Sequence, residues 1–242
     1  VAGCATVCIA ELLGGWLIGR CLDPEVAGPA SVISGSMDMA TGKACFASPE
    51  AIMQDCITHQ FFDRVYGARV GVDSDASYLE ANVPGIEAAY ERLMKQQAMG
   101  AMTGSMALHL GTLDGAAVFS REQAMIDLDV CRALWHLYRG AEITDELMAV
   151  EEIERIGHGL QESFFESPHT LAHFRDAFLP AVFRRENYDE VRGTIGSDDE
   201  VLRRANERWK RILADHEPTH ADEEMVREIE KVVQSAWEHL VG

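Results

Sequence analysis

Apolar positions recur at helical spacing in several separate stretches, and short β-prone runs fall between the first of them. Residues 6–20 set Leu12, Leu13, Trp16 and Leu17 on one face, with Thr6 as a cap and Pro24, Gly28 and Pro29 as the break. Ala30-Ser31-Val32-Ile33-Ser34 is a short strand closed by Gly35. Ser48-Pro49-Glu50 is a strong helix start, with Ser as cap, Pro in the first turn and an acid near the positive end. That helix should run to Tyr66 and stop at Gly67. Residues 68–72 predict the next strand. Pro84 opens a helix with Ile86, Tyr90, Leu93 and Gln97 on one side, ending near Gly100, and residues 101–108 predict a third strand. Ser120 and Gln123 form a capping box ahead of a stripe of Ala124, Leu128, Cys131, Trp135 and Tyr138, closed by Gly140.

Strand and helix therefore alternate across residues 30–140, the pattern of a parallel sheet covered by helices. Beyond residue 140 the β-prone runs vanish and charge rises, predicting helices at 144–156, 170–180, 199–214 and 222–240. The last carries Met225, Ile229, Val232, Ala236 and Leu240 on one stripe. Three strands cannot close a barrel of eight. The expected fold is α/β: a partial (β/α)8 TIM barrel made of the later β/α units in residues 1–190, then a helical extension in residues 191–242. A chain opening in mid-element reads as the C-terminal half of a longer protein, and Val1–Val7, with no basic region, does not read as a signal peptide. An isolated half barrel would leave sheet edges exposed, so a homo-oligomer is expected.

Composition narrows the function classes. An apolar content of 47% supports a packed core. The net charge of −19 argues against phosphate backbones, so nucleic acid is not an expected partner. No run looks like the ~20 apolar residues of a membrane helix, so no membrane is expected either. The six cysteines include no C-x-x-C pair and read as reduced thiols of a cytoplasmic protein.

In parallel α/β folds, chemistry sits at the C-terminal ends of strands. Three loops qualify: Ser36, Met37 and Asp38; then Asp73, Ser74, Asp75, Tyr78 and Glu80; then His109, Thr112 and Asp114. Each has a structural alternative. Asp38 can cap a turn onto Thr41-Gly42, Asp73 and Asp75 can form a solvated turn, and His109 can be a satisfied core histidine. His169 and His173 stand at i, i+4, the spacing of paired metal ligands, though Thr170 occupies the place of the Glu in H-E-x-x-H.

The run Gly35-Ser36-Met37-Asp38-Met39-Ala40-Thr41-Gly42, then Ser48-Pro49-Glu50-Ala51, Phe119-Ser120-x-x-Gln123, Asp127, and Pro168-His169-Thr170-Leu171-x-His173-Phe174-Arg175 resemble, in this order, the trimethylamine methyltransferase (MttB-like) family. The resemblance implies a TIM-barrel methyltransferase about twice this length. It would pass a methyl group from a methylated amine to Co(I) of a corrinoid (cobalamin) carried by a cognate partner protein. Founding members carry pyrrolysine at a strand end in this half. The matching place falls within Gly71–Asp75, close to Asp75-Ala76-Ser77, and this sequence holds ordinary residues there. The resemblance is thus to the pyrrolysine-lacking branch, whose members act on quaternary amines such as glycine betaine. Under that reading Asp73 and Asp75 are the expected catalytic carboxylates. Ser36, Asp38, Tyr78, Glu80 and His109 are the expected substrate-binding residues, and no metal is expected. The other readings are a metal-assisted TIM-barrel enzyme using His169 and His173, and a truncated barrel acting as a non-catalytic binding or assembly module.

Overall fold

The computed structural model describes residues 1–29, 31–71, 78–104, 106, 108–157, 163–185, 197–217 and 222–240. Helix α1 (Ala2–Leu22) is followed by a hairpin of β1 (Ser36–Met37) and β2 (Ala44–Cys45), then helices α2 (Pro49–Tyr66) and α3 (Ile86–Thr103). A second hairpin, β3 (Thr112–Leu113) and β4 (Val118–Phe119), leads into α4 (Arg121–Arg139). Short helices α5 (Asp145–Met148), α6 (Val150–Ile156) and α7 (Pro168–His173) precede two long ones, α8 (Ser197–Ala214) and α9 (Glu223–Leu240). The chain divides into two compact units, Val1–Trp209 and Lys210–Gly242. In the first, α1 packs on α2, α2 on α3 and α3 on α4.

Local chemistry sets the helix ends. Ser48 caps α2 by accepting the Ala51 N–H at 3.2 Å, with Pro49 in the first turn, and Gly67 ends the helix at φ 61°. Ser120 caps α4 through the Gln123 N–H at 3.1 Å. The reciprocal half of that box is absent. The Gln123 amide instead donates to Asp127 at 2.7 Å, and its oxygen accepts the Gly85 N–H at 3.0 Å. The core of α1 and α2 is built on Leu12, Ile52, Cys56, Phe62 and Val70, joined by Met99 of α3. Trp16 lies edge-on to Phe62 at 6.5 Å.

Several expectations are corrected. Of the strands expected at 30–34 and 68–72, Ala30 and Val72 lie outside the described residues; among the described ones Val32 forms an isolated bridge, its N–H donating to Gly71 O at 2.9 Å. The third strand is not a strand at its start. Ala101, Met102 and Thr103 form the last turn of α3, and Gly104 ends it at φ 67°, because a left-handed glycine terminates a helix and not a ladder. The two ladders among the described residues are antiparallel hairpins, pairing Ser36 with Cys45 and Thr112 with Phe119, so the described residues are α/β without the parallel sheet of a barrel. The helix expected at 144–156 breaks at Ala149, which takes φ 49° between α5 and α6. The one expected at 170–180 begins earlier, at Pro168 behind a Ser167 cap, and stops at His173, where Asp176 N–H turns back to His173 O. α1 runs 21 residues and is long and apolar enough, by length and composition, to cross a membrane. The expectation that no stretch approaches that length is therefore withdrawn, although Leu12 of this helix is buried against α2.

The most informative correction concerns faces. Ile86, Tyr90 and Leu93, which the sequence pattern sets on one side, are exposed, and the buried side of α3 is Ala88, Arg92, Lys95, Gln96 and Met99. On α4 the buried set includes Gln123, Asp127 and Asp129. These polar groups are inside because non-sheet segments pack there and their backbone groups need partners. Arg92 and Asp127 are fully buried and pair at 3.4 Å. Arg92 also donates to Thr112 Oγ1 at 2.9 Å, and Asp127 accepts the Gly111 N–H at 2.8 Å. Helix α3, helix α4 and the second hairpin meet at this pair.

Burial, opposed by Arg92 and by the hydrogen bonds from Gln123 and Gly111, raises the Asp127 carboxyl above its ordinary 3.8. Between the two values the native chain binds more protons than the unfolded one, so this group's contribution to stability falls as pH rises through that window. Urea unfolding should show that component in the wild type and lose it in Asp127→Asn. Arg92→Leu, which strands a buried carboxylate, should cost about 3–5 kcal/mol near neutral pH. A cost below about 1 kcal/mol would mean the pair is not buried as described.

Candidate functional site

The described segment from Tyr78 to Ala81 is held by α3 and by the second hairpin. Lys95 Nζ, fully buried, donates to Tyr78 O at 2.7 Å. Glu91 Oε2 accepts the Glu80 N–H at 2.9 Å and the Ala81 N–H at 3.0 Å. The second hairpin adds Asp114 N–H to Ala81 O at 2.9 Å and Gly115 N–H to Leu79 O at 2.7 Å. Burial pushes the Glu91 carboxyl up, with Glu80 and Glu87 adding to it, while the two N–H bonds pull it down.

Glu80 then reaches across to the segment between β2 and α2. Its Oε1 accepts from the Phe46 N–H and, at 3.0 Å, from the Ala47 N–H, which also lies 3.1 Å from Oε2. The Phe46 and Tyr78 rings meet at 5.3 Å and 46°. Ala47, Leu79, Ala81, Ala88 and Leu113 form a buried cluster beneath. Ser36 Oγ and Ser48 Oγ share a hydrogen bond at 2.7 Å, joining β1 to the α2 cap. The structure therefore brings Ser36, Tyr78 and Glu80 into one neighbourhood, joined through Phe46 and Ser48.

The other predicted residues fall differently. Asp38 makes the hairpin turn. It accepts from Thr41 Oγ1 at 2.5 Å and the Ala40 N–H at 2.9 Å, and its own carbonyl accepts the Gly42 N–H at 2.7 Å. The Thr41 and Ala40 bonds hold its carboxyl below the ordinary range. This is the turn alternative raised by its sequence context. Asp73 and Asp75, with the rest of 72–77, lie outside the described residues. His109 is half-buried, two residues ahead of the Gly111 that binds Asp127. Asp114 pairs loosely with Lys43, 3.9 Å away and exposed. Phe46 was not singled out in the sequence, because its partner Tyr78 is remote in the chain and no local motif marks it.

The rings of His169 and His173 meet at 4.6 Å, and one nitrogen of each bonds elsewhere. His169 Nε2 bonds Glu146 O at 3.1 Å, and His173 Nδ1 bonds Asp176 at 2.8 Å. Among the described residues no cluster of three or more His, Cys, Asp or Glu side chains is placed to hold a metal ion. A separate cleft of about 330 Å³, lined by Ile86, Ile126, Phe183, Arg184, Asp198 and Arg204 among others, lies between α3, α4 and α8 and touches none of the predicted site residues.

Comparison with known proteins agrees with the sequence resemblance. The chain matches the family model for trimethylamine methyltransferase (MTTB) over residues 1–239. It is 27% identical over 228 residues to a glycine betaine methyltransferase of Desulfitobacterium hafniense (strain Y51), covering 93% of this chain and 46% of that protein. It is 24% identical over 237 residues to the trimethylamine methyltransferase MttB of Methanosarcina barkeri (strain Fusaro / DSM 804), covering 98% of this chain and 46% of the relative. The MttB of Methanosarcina thermophila is 22% identical over 231 residues, again with 46% of its length covered. The chain thus spans about half the length of the curated relatives it matches.

Removing the Glu80 clamp should release two amides. Amide hydrogen exchange of Glu80→Ala should be at least about tenfold faster at Phe46 and Ala47, given a charge-assisted bond of about 1.5–3 kcal/mol. Asp38→Ala should speed exchange at Ala40 and leave Phe46 and Ala47 near the wild-type rate. Unchanged exchange at Phe46 in Glu80→Ala would contradict the clamp.

Proposed function

The chain belongs to the trimethylamine methyltransferase family, and on that premise we propose that it forms the later part of a (β/α)8 methyltransferase that takes a methyl group from a quaternary amine. The observation that carries this reading is the family match over residues 1–239, joined to a relative named for glycine betaine. The succession α2, α3, α4 and the Val32–Gly71 backbone bond support the barrel assignment. All six cysteines are free thiols, which supports a reducing, cytoplasmic setting.

A corrinoid on a partner protein supplies the reduced cobalt that accepts the methyl. This chain's part is to hold and aim the substrate. A quaternary nitrogen leaves as a neutral amine, so the site needs no proton donor on the leaving group. It must place one methyl in line with the acceptor and hold a cation whose charge vanishes in the transition state. A tight ion pair would stabilise the substrate more than the transition state and slow the step. Glu80 suits this requirement, because its carboxylate already accepts the Phe46 and Ala47 N–H groups and so presents a softened negative field. Tyr78 offers an aromatic face. Asp73 and Asp75 are assigned as the remaining carboxylates, Ser36 and His109 as polar neighbours of the substrate, and Asp38 as the residue that shapes the hairpin beside them. Met37 and Met39, exposed on that hairpin, provide an adaptable apolar surface suited to a docking protein that carries the corrinoid. The exposed apolar stripe of α9 supports a homo-oligomeric state.

Mixing the enzyme with a Co(I) corrinoid and following methyl–cobalt absorbance across a panel of methylated amines tests the reading. A signal is expected with glycine betaine or another quaternary amine, and Asp75→Asn should lower it. No signal with any quaternary or tertiary amine would overturn the function, and a signal unchanged in Asp75→Asn for every betaine would overturn that residue's role.

A further inference from the structure

We propose that Phe46 is the second aromatic wall of the onium subsite, and that with Tyr78 it forms a corner selecting a permanently charged methylammonium group over an uncharged group of the same shape. This rests on the amine-binding reading above and extends it to a residue that the sequence did not single out.

The chain pattern sets up the corner. Ala47 and Leu79 are buried in the cluster beneath, while their neighbours Phe46 and Tyr78 stay half-buried. Both rings therefore keep part of their surface open to a ligand. The rings contact each other at 5.3 Å and 46°. Rings that touch leave no room for a cation between them, but their tilt opens an angle in which one trimethylammonium group meets both. The quadrupole of each ring attracts a cation toward its face.

The corner is pre-organised on both sides. Phe46 is held through its own N–H and that of Ala47 by the Glu80 carboxylate, and Glu80 is held through its N–H by Glu91 of α3. Tyr78 is held through its carbonyl by Lys95, one helical turn along from Glu91. Gly35 backs the Phe46 ring so closely that an added Cβ would stand 3.3 Å from the ring edge. A side chain at position 35 would therefore push the ring.

Glycine betaine and 3,3-dimethylbutanoate share shape and carboxylate and differ in whether the branched atom is N⁺ or carbon. Isothermal titration of the 242-residue chain with each gives a charge preference. The wild type should prefer betaine. Phe46→Leu should cut that preference about three- to thirtyfold, the worth of one cation–π contact, and leave 3,3-dimethylbutanoate within about twofold. Phe46→Trp should keep or raise the preference, which separates an aromatic role from a packing one should the leucine variant fail to fold. Gly35→Ala, which displaces the ring without removing it, should lower the preference. A preference that is unchanged in Phe46→Leu, or that falls in Phe46→Trp while betaine still binds the wild type, overturns the second wall alone. Failure of the wild type to bind betaine, tetramethylammonium or any other onium overturns the amine-binding reading with it.

Discussion

Backbone amides of segments without sheet partners must find acceptors, and in this chain carboxylates on the inward faces of the helices supply them. Asp55 of α2 accepts the Ser34 N–H. Glu91 of α3 accepts those of Glu80 and Ala81. On α4, Asp127 accepts Gly111, and Asp129 accepts Ala181 and Val182. Each of these four segments is thus latched to a helix. A carboxylate can take several N–H donors at once, which a carbonyl in a regular ladder does not do. Part of the chain's acidity is therefore internal scaffolding and not surface charge. The same device positions the site, since Glu80 applies it one step further, from the Tyr78 loop to the segment ahead of α2.

This device explains which features were legible. The starts of α2 and α4 and the stop at Gly67 are written in local caps, and the sequence pattern located them closely. The inward face of α3 was not legible. Arg92, Lys95 and Gln96 recur at helical spacing but look like a solvated side, and partners distant in the chain, among them Asp127, Thr112 and Tyr78 O, receive Arg92 and Lys95 inside. A hydrophobicity pattern reports what a residue is, not which group distant in the chain needs it. The hairpins were missed for a related reason. Two-residue strands are too short to alternate, although Asp38 and Gly42 carried a turn signal that was also readable as a binding site.

Strand-end logic singles out Ser36 in one loop and Tyr78 and Glu80 in another, and among the described residues no parallel strands bring them together. They are brought together by the Glu80 clamp and the Ser36–Ser48 bond. The chemistry expected of the family gives that arrangement a purpose. A group that must lose its positive charge is best served by ring faces and by carboxylates whose charge is already shared with N–H donors. Under the proposed function, Phe46, Tyr78 and Glu80 would meet that requirement within one small cluster resting on Leu79 and Leu113.

The central claim is that the clamp of Glu80 and the ring corner form one binding unit. It is tested most directly by titrating betaine into ¹⁵N-labelled chain and mapping amide shifts. The account predicts the largest changes at Phe46, Ala47, Tyr78 and Glu80, saturating together with a single Kd. Saturable changes centred elsewhere, such as on the cleft between α3 and α8, with these four amides unmoved, would contradict it.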